Sequence, residues 1–119
     1  MKPGLHITPA MMEAAYDYLR ATPPFRRWKL PDGDGVEFHV TRDTATWGDC
    51  LEPGAGRPDW RLRVSGALIG HTSTLMALLA HEMVHMRQIL RGQRPTHGAA
   101  FQRLAALVCR HHGFDPKLF

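Results

Sequence analysis

The sequence predicts an α+β fold, with an N-terminal helix, a small antiparallel or mixed sheet of about three strands, and two further helices. Three observations carry this reading. Three stretches show apolar spacing with a period near 3.6 and sit between recognisable caps. Two short stretches alternate apolar and polar residues, the period of a half-buried strand. Pro- and Gly-rich breakers separate all of them. At 119 residues the chain is expected to form one domain, residues 1–119, with a single core.

The first helix opens at Thr8-Pro9, a good N-cap followed by a residue suited to the first turn. It runs to Arg20, with Met11, Ala14, Ala15, Tyr18 and Leu19 spaced for a buried face, and Thr22-Pro23-Pro24 ends it. Residues 25–35 form a connector closed by Pro31-Asp32-Gly33-Asp34-Gly35, a turn signal. Residues 36–41 and 60–65 alternate, the second placing Trp60, Leu62 and Val64 on one face. A short strand is expected around Thr44 to Trp47, and a loop from Glu52 to Pro58. Thr72 or Ser73 caps a helix to about Arg91, with Gly92 as its stop. Thr96 caps a last helix over about 97–112, and Gly113 ends it.

Composition narrows the function classes. No apolar run is long enough to span a bilayer, so no membrane partner is expected. Met1 to His6 lacks an apolar h-region, so no secretion signal is read there and the cytoplasm is the expected compartment. Two cysteines without such a signal, Cys50 and Cys109, are expected to be reduced and buried. The net charge is +4 and Arg far outnumbers Lys, which leaves nucleic acid open as a partner. Arg26-Arg27-Trp28-Lys29 adds a ring able to stack on a base; packing of Trp28 on the core is the alternative.

The chemistry is concentrated in His81-Glu82-Met83-Val84-His85, which reads H-E-x-x-H within a helical run. With eight His and four Glu in the chain, roughly 0.02 such matches are expected by chance, so composition alone does not account for it. Residues i and i+4 lie on one helical face, so both imidazoles can close on one metal ion, with Glu82 placed as a base. On the helical wheel His85 falls about 40° from His81, and Glu82 lies between them and an apolar arc of Leu75, Leu79, Met83, Met86 and Leu90.

A third ligand should come from another element. His97 shares the inward face of the last helix with Phe101, Leu104 and Val108, while Arg103 and Arg110 point away. The short link between the two helices lets them fold into a hairpin that brings His97 to the pair. His111 and His112 lie about 21 Å further along and cannot share that metal. His39 falls on the polar side of a strand, and His71 is read as a capping or surface residue. Gln88 and Arg91 exclude the metzincin pattern, which needs Gly and His there.

With these residues placed, the chain resembles the SprT-like family of zinc metallopeptidases, small gluzincin-type domains. His81-Glu82-Met83-Val84-His85 and His97-Gly98-Ala99-Ala100-Phe101 match the family's H-E-x-x-H followed by H-G-x-x-F/W. Trp47-Gly48-Asp49-Cys50 stands where the family carries W-G-x-C, with Asp49 in place of the usual small residue. The motifs cover about residues 45 to 112. The resemblance implies a minimal zincin-like arrangement in which His81, His85 and His97 bind Zn2+ and Glu82 is the general base. It also implies that residues 60–65 border the cleft and offer an edge to an extended peptide. Trp47 and Cys50 are read as structural, packed in the core. A Cys-rich zinc segment and DNA-binding parts found in longer relatives are not expected here.

The expected function is therefore zinc-dependent endopeptidase action on a protein or peptide substrate. The alternatives are a DNA-stimulated protease acting on DNA-bound or crosslinked proteins, and a non-catalytic zinc-stabilised binding module. Glu82 argues against the last, because a structural zinc site needs no base. The oxyanion-stabilising residue, the cleavage preference, the oligomeric state and the position of the tail, 114–119, are left open by the sequence.

Overall fold

The computed structural model describes residues 6–119. Most of the Met1 to His6 stretch, in which no secretion signal is read, lies outside them. The fold is α+β, as the periodicities predict: helix α1 (Pro9–Arg20), strands β1 (Val36–Thr41), β2 (Gly48–Leu51) and β3 (Trp60–Ser65), then helices α2 (Thr72–Leu90) and α3 (Ala99–His112).

Helix α1 begins as expected, with the Thr8 hydroxyl accepting from the Met11 amide at 3.2 Å. Of the expected face, Leu19 is buried and Ala15 packs against the core, but Met12 and Tyr16 complete it while Ala14 and Tyr18 are exposed. The expected and observed sets both follow the helical rhythm, and packing decides between them. Tyr16 is fully buried, and its hydroxyl donates to the Pro31 carbonyl at 2.6 Å. The connector after α1 contributes to the core through Phe25, Trp28 and Leu30.

The sheet is mixed, with strand order β1-β3-β2. β1 runs parallel to β3, and only the β2–β3 pair is antiparallel. The chain leaves β1, crosses the end of β3 and returns as β2. Ser65 secures that crossing: its amide donates to the Trp47 carbonyl at 2.8 Å, and its hydroxyl donates to the Asp43 carbonyl. The strand expected around Thr44 to Trp47 begins instead at Gly48. The Asp43 carboxylate accepts from the Ala45 amide at 2.8 Å and the Thr46 amide at 3.3 Å, a local turn that competes with strand pairing.

Trp60, Leu62 and Val64 turn inward as predicted. β3 nevertheless offers no edge, because it is paired on both sides. The edge strand beside α2 is β2.

Helix α2 packs against α1, α3, β2 and β3 and is the centre of the core. Leu75, Leu79, Met83, Val84 and Met86 are buried, whereas Leu90 is exposed. Each fully buried aliphatic side chain contributes roughly 1.5–3 kcal/mol relative to exposure. Its N-cap is His71, through backbone only, one residue earlier than expected. α3 begins at Ala99 with Gly98 as N-cap, so Thr96 is not the cap and His97 precedes the helix. Gly113 closes α3 at φ 77°, a left-handed conformation that favours glycine. No helix among the described residues is long and apolar enough to cross a membrane. Cys50 and Cys109 are unbridged, Cys109 buried and Cys50 half-buried.

Candidate metal centre

Because α2 sits at the centre of the core, the environment of its motif is set by every layer around it. His85 is buried and His81 half-buried, while His97 is exposed on the segment between α2 and α3. The structure brings all three together. His97 Nε2 lies 3.1 Å from His81 Nε2 and 3.1 Å from His85 Nε2. One ring nitrogen from each lies within 4.8 Å of the others. His97 thus reaches the pair from a loop rather than from the first turn of a helix. The other histidines stay apart: His39 and His71 are exposed, and His112 pairs with the Thr22 hydroxyl at 3.0 Å.

The hydrogen bonds settle which nitrogens are free. His81 Nδ1 faces the Phe119 backbone oxygen at 2.6 Å, and His85 Nδ1 faces Gln88 Oε1 at 2.8 Å. Both partners accept, so both Nδ1 atoms carry the proton and both Nε2 atoms present lone pairs to the centre. His97 can donate one proton into that cluster, which leaves a surplus of lone pairs that suits a cation. A tetrahedral zinc site with bonds of about 2.0–2.1 Å separates its nitrogens by about 3.3–3.4 Å. The two 3.1 Å separations are close to that and the remaining pair lies within 4.8 Å, so the three imidazoles can close on a cation such as zinc.

Phe101 forms the floor beneath the three rings, its centroid 4.9 Å from His81, 4.9 Å from His85 and 4.8 Å from His97. Burial lowers the pKa of His81 to about 4 and also lowers that of His85, which favours the neutral, ligating form. Glu82 is only 5% exposed. Burial first, and the Asp49 carboxylate second, push its pKa up to about 8. A cation held by the neighbouring imidazoles would pull it back down.

This gives a pH test on the metal-free protein. Between its ordinary 4.5 and about 8, folded Glu82 keeps a proton that the unfolded chain has lost, so its contribution to stability falls as pH rises across that window. His81 acts oppositely, with stability lost as pH falls from 6.5 towards about 4. Glu82→Gln removes only the first effect. At about 1.4 kcal/mol per pH unit, the metal-free variant should gain on the order of 3–4 kcal/mol over wild type between pH 5 and pH 8. Urea titrations with a chelator present would measure it; a gap independent of pH would contradict the assignment.

Glu82 and His81 open into a cavity of about 850 Å³ whose walls include Trp47, Leu78, Phe114 and Leu118. Trp47 is 50% exposed and is a cleft residue, not a core one. It lies just outside β2, where the turn started by Asp43 carries it past the sheet. Cys50 does pack against the core, where burial holds its thiol well above the usual range. Gly48, between them, is required by close approach. A Cβ there would lie 2.6 Å from the Arg63 carbonyl oxygen and 3.3 Å from Leu78. Gly48→Ala should destabilise the fold by about 1–3 kcal/mol, read as a lower denaturation midpoint.

Asp49 points to the other side of β2, where Arg63 Nε donates to its carboxylate at 2.8 Å. Its charge is still felt at Glu82. The tail folds back onto the site: Phe119 packs 5.4 Å from His81, between the larger cavity and a second one of about 350 Å³ that reaches His97. Trp28 is buried against Phe25, with the Arg87 guanidinium 5.9 Å over its ring, so that ring is not free to stack on a base.

Sequence reasoning missed Gln88 and Phe119 as partners of the imidazoles. Gln88 carried a readable signal: seven residues after His81, it returns to within about 20° of the same helical face. The contact from Phe119 carried none. Comparison with protein-family models and with curated proteins finds no match for this chain.

Proposed function

We propose that the chain is a zinc-dependent endopeptidase of the SprT-like kind. The observation that carries this reading is the convergence of three imidazole nitrogens beside a buried carboxylate that opens into a cleft. His81, His85 and His97 would hold the ion, and three protein ligands leave a position for water or substrate. Bound zinc supplies a Lewis acid that polarises a carbonyl and acidifies water.

The residues of the chain do the rest. Glu82 accepts the proton of the attacking water and returns it to the leaving amine nitrogen. The apolar surroundings that disfavour its charge also make it a stronger base once ionised. Phe101, itself 2% exposed, backs the imidazoles with an apolar ring, and the Phe119 ring packs beside His81. The free edge of β2 can pair with an extended peptide, and Trp47 beside it can cover a substrate side chain.

The test is purification with measurement of bound zinc, followed by casein cleavage before chelation, after it, and after zinc is returned. Activity that survives chelation would overturn the proposal. A zinc-stabilised module without activity is disfavoured by the placement of Glu82 at an open cavity rather than in a closed fourth position.

A further inference from the structure

We infer that Gln88 is a positioning residue that ties two of the three zinc ligands together; this rests on the metal-site reading above. Gln88 is 1% exposed, and its side-chain amide makes two directed contacts. Oε1 accepts from His85 Nδ1 at 2.8 Å. Nε2 donates to the backbone carbonyl of Thr96, the residue before His97, at 3.2 Å. The orientation of the amide follows from chemistry: a carbonyl oxygen can only accept, so the amide nitrogen must face Thr96 and the amide oxygen must face His85.

Two consequences follow. The first bond holds His85 in the tautomer whose Nε2 lone pair faces the metal, and fixes its ring plane. The second anchors the segment that delivers His97, an exposed residue with no helix to hold it. The Gln88 backbone anchors the same turn, since its carbonyl accepts from the Gln93 amide at 2.8 Å. One residue thus sets the ring of His85 and the reach of His97 from a single point on α2. An ionised carboxylate would accept from His85 but meet the Thr96 carbonyl with a second acceptor, and a lysine reverses the problem.

The experiment measures zinc affinity by competition with a chromophoric chelator at pH 8, with metal-free stability measured in parallel. Gln88→Met, similar in volume and without hydrogen bonds, should weaken zinc binding roughly 10–100-fold. Gln88→Leu, also without hydrogen bonds and different in shape, should weaken binding over the same range. A Met variant that loses metal-free stability yet binds zinc within twofold of wild type would reduce Gln88 to a packing role and overturn the inference. If Gln88→Met does not fold, Gln88→Leu decides: affinity within twofold of wild type overturns the inference. Wild type that binds no zinc overturns the metal reading and this inference together. Wild type that binds zinc but cleaves no casein overturns only the peptidase proposal.

Discussion

Glu82→Gln is expected to lower casein cleavage by roughly 10²–10⁴-fold while leaving zinc bound, the range for loss of a positioned general base. Glutamine fills the same space and cannot take a proton. Because Glu82 is 5% exposed, any replacement of different volume would also disturb the packing of α2 against the sheet. The amide variant avoids that, and in the metal-free state it should be the more stable protein above neutral pH. A loss of activity accompanied by a gain of stability cannot be ascribed to unfolding. Cleavage by the variant at the wild-type rate would sink the mechanism.

His97→Ala is expected to abolish stable zinc binding, with a loss greater than the roughly 10–100-fold that follows from disturbing an outer partner of a ligand. Two imidazoles on one helix remain, at i and i+4, and two-coordinate zinc retention is weak. His97 is the cleanest of the three to remove. It is exposed and lies on a loop, so metal-free stability should change by less than about 0.5 kcal/mol. His85→Ala, by contrast, would empty a buried site and free the Gln88 amide. Measured zinc content and chelator competition check the prediction. A His97→Ala protein that retains zinc at wild-type affinity would show that His97 is not a ligand.

Some of the site was readable because local geometry is periodic. Residues four apart on a helix share a face, so spacing alone pairs His81 with His85. The inward direction of Phe101 followed from the same rule, and it is the floor under all three rings. The wheel placed His97 by a route the structure does not follow. The residue lies two positions before α3, and what brings it in is the turn held by Gln88 rather than a helical face.

Other features depended on which of two locally equivalent choices packs better. Either face of α1 satisfies the helical rhythm, and the Tyr16–Pro31 contact selects one. Alternation marked 36–41 and 60–65 as strands but says nothing about who their neighbours are. The parallel β1–β3 pair and the central place of β3 arise from a six-residue crossing secured by Ser65. That crossing is also what makes β2 the edge and leaves Trp47 in the cleft.

By itself, then, the sequence determined the α+β class, the order of its elements and the pair of imidazoles with a carboxylate beside them. These are properties of spacing, and spacing acts over one or two turns of chain. Tertiary structure alone decided the strand order, the burial that raises Glu82 and the return of Phe119 to His81. Each of those is a contact between residues far apart in sequence or a desolvation imposed by several elements at once, and neither leaves a periodic trace for the sequence to show.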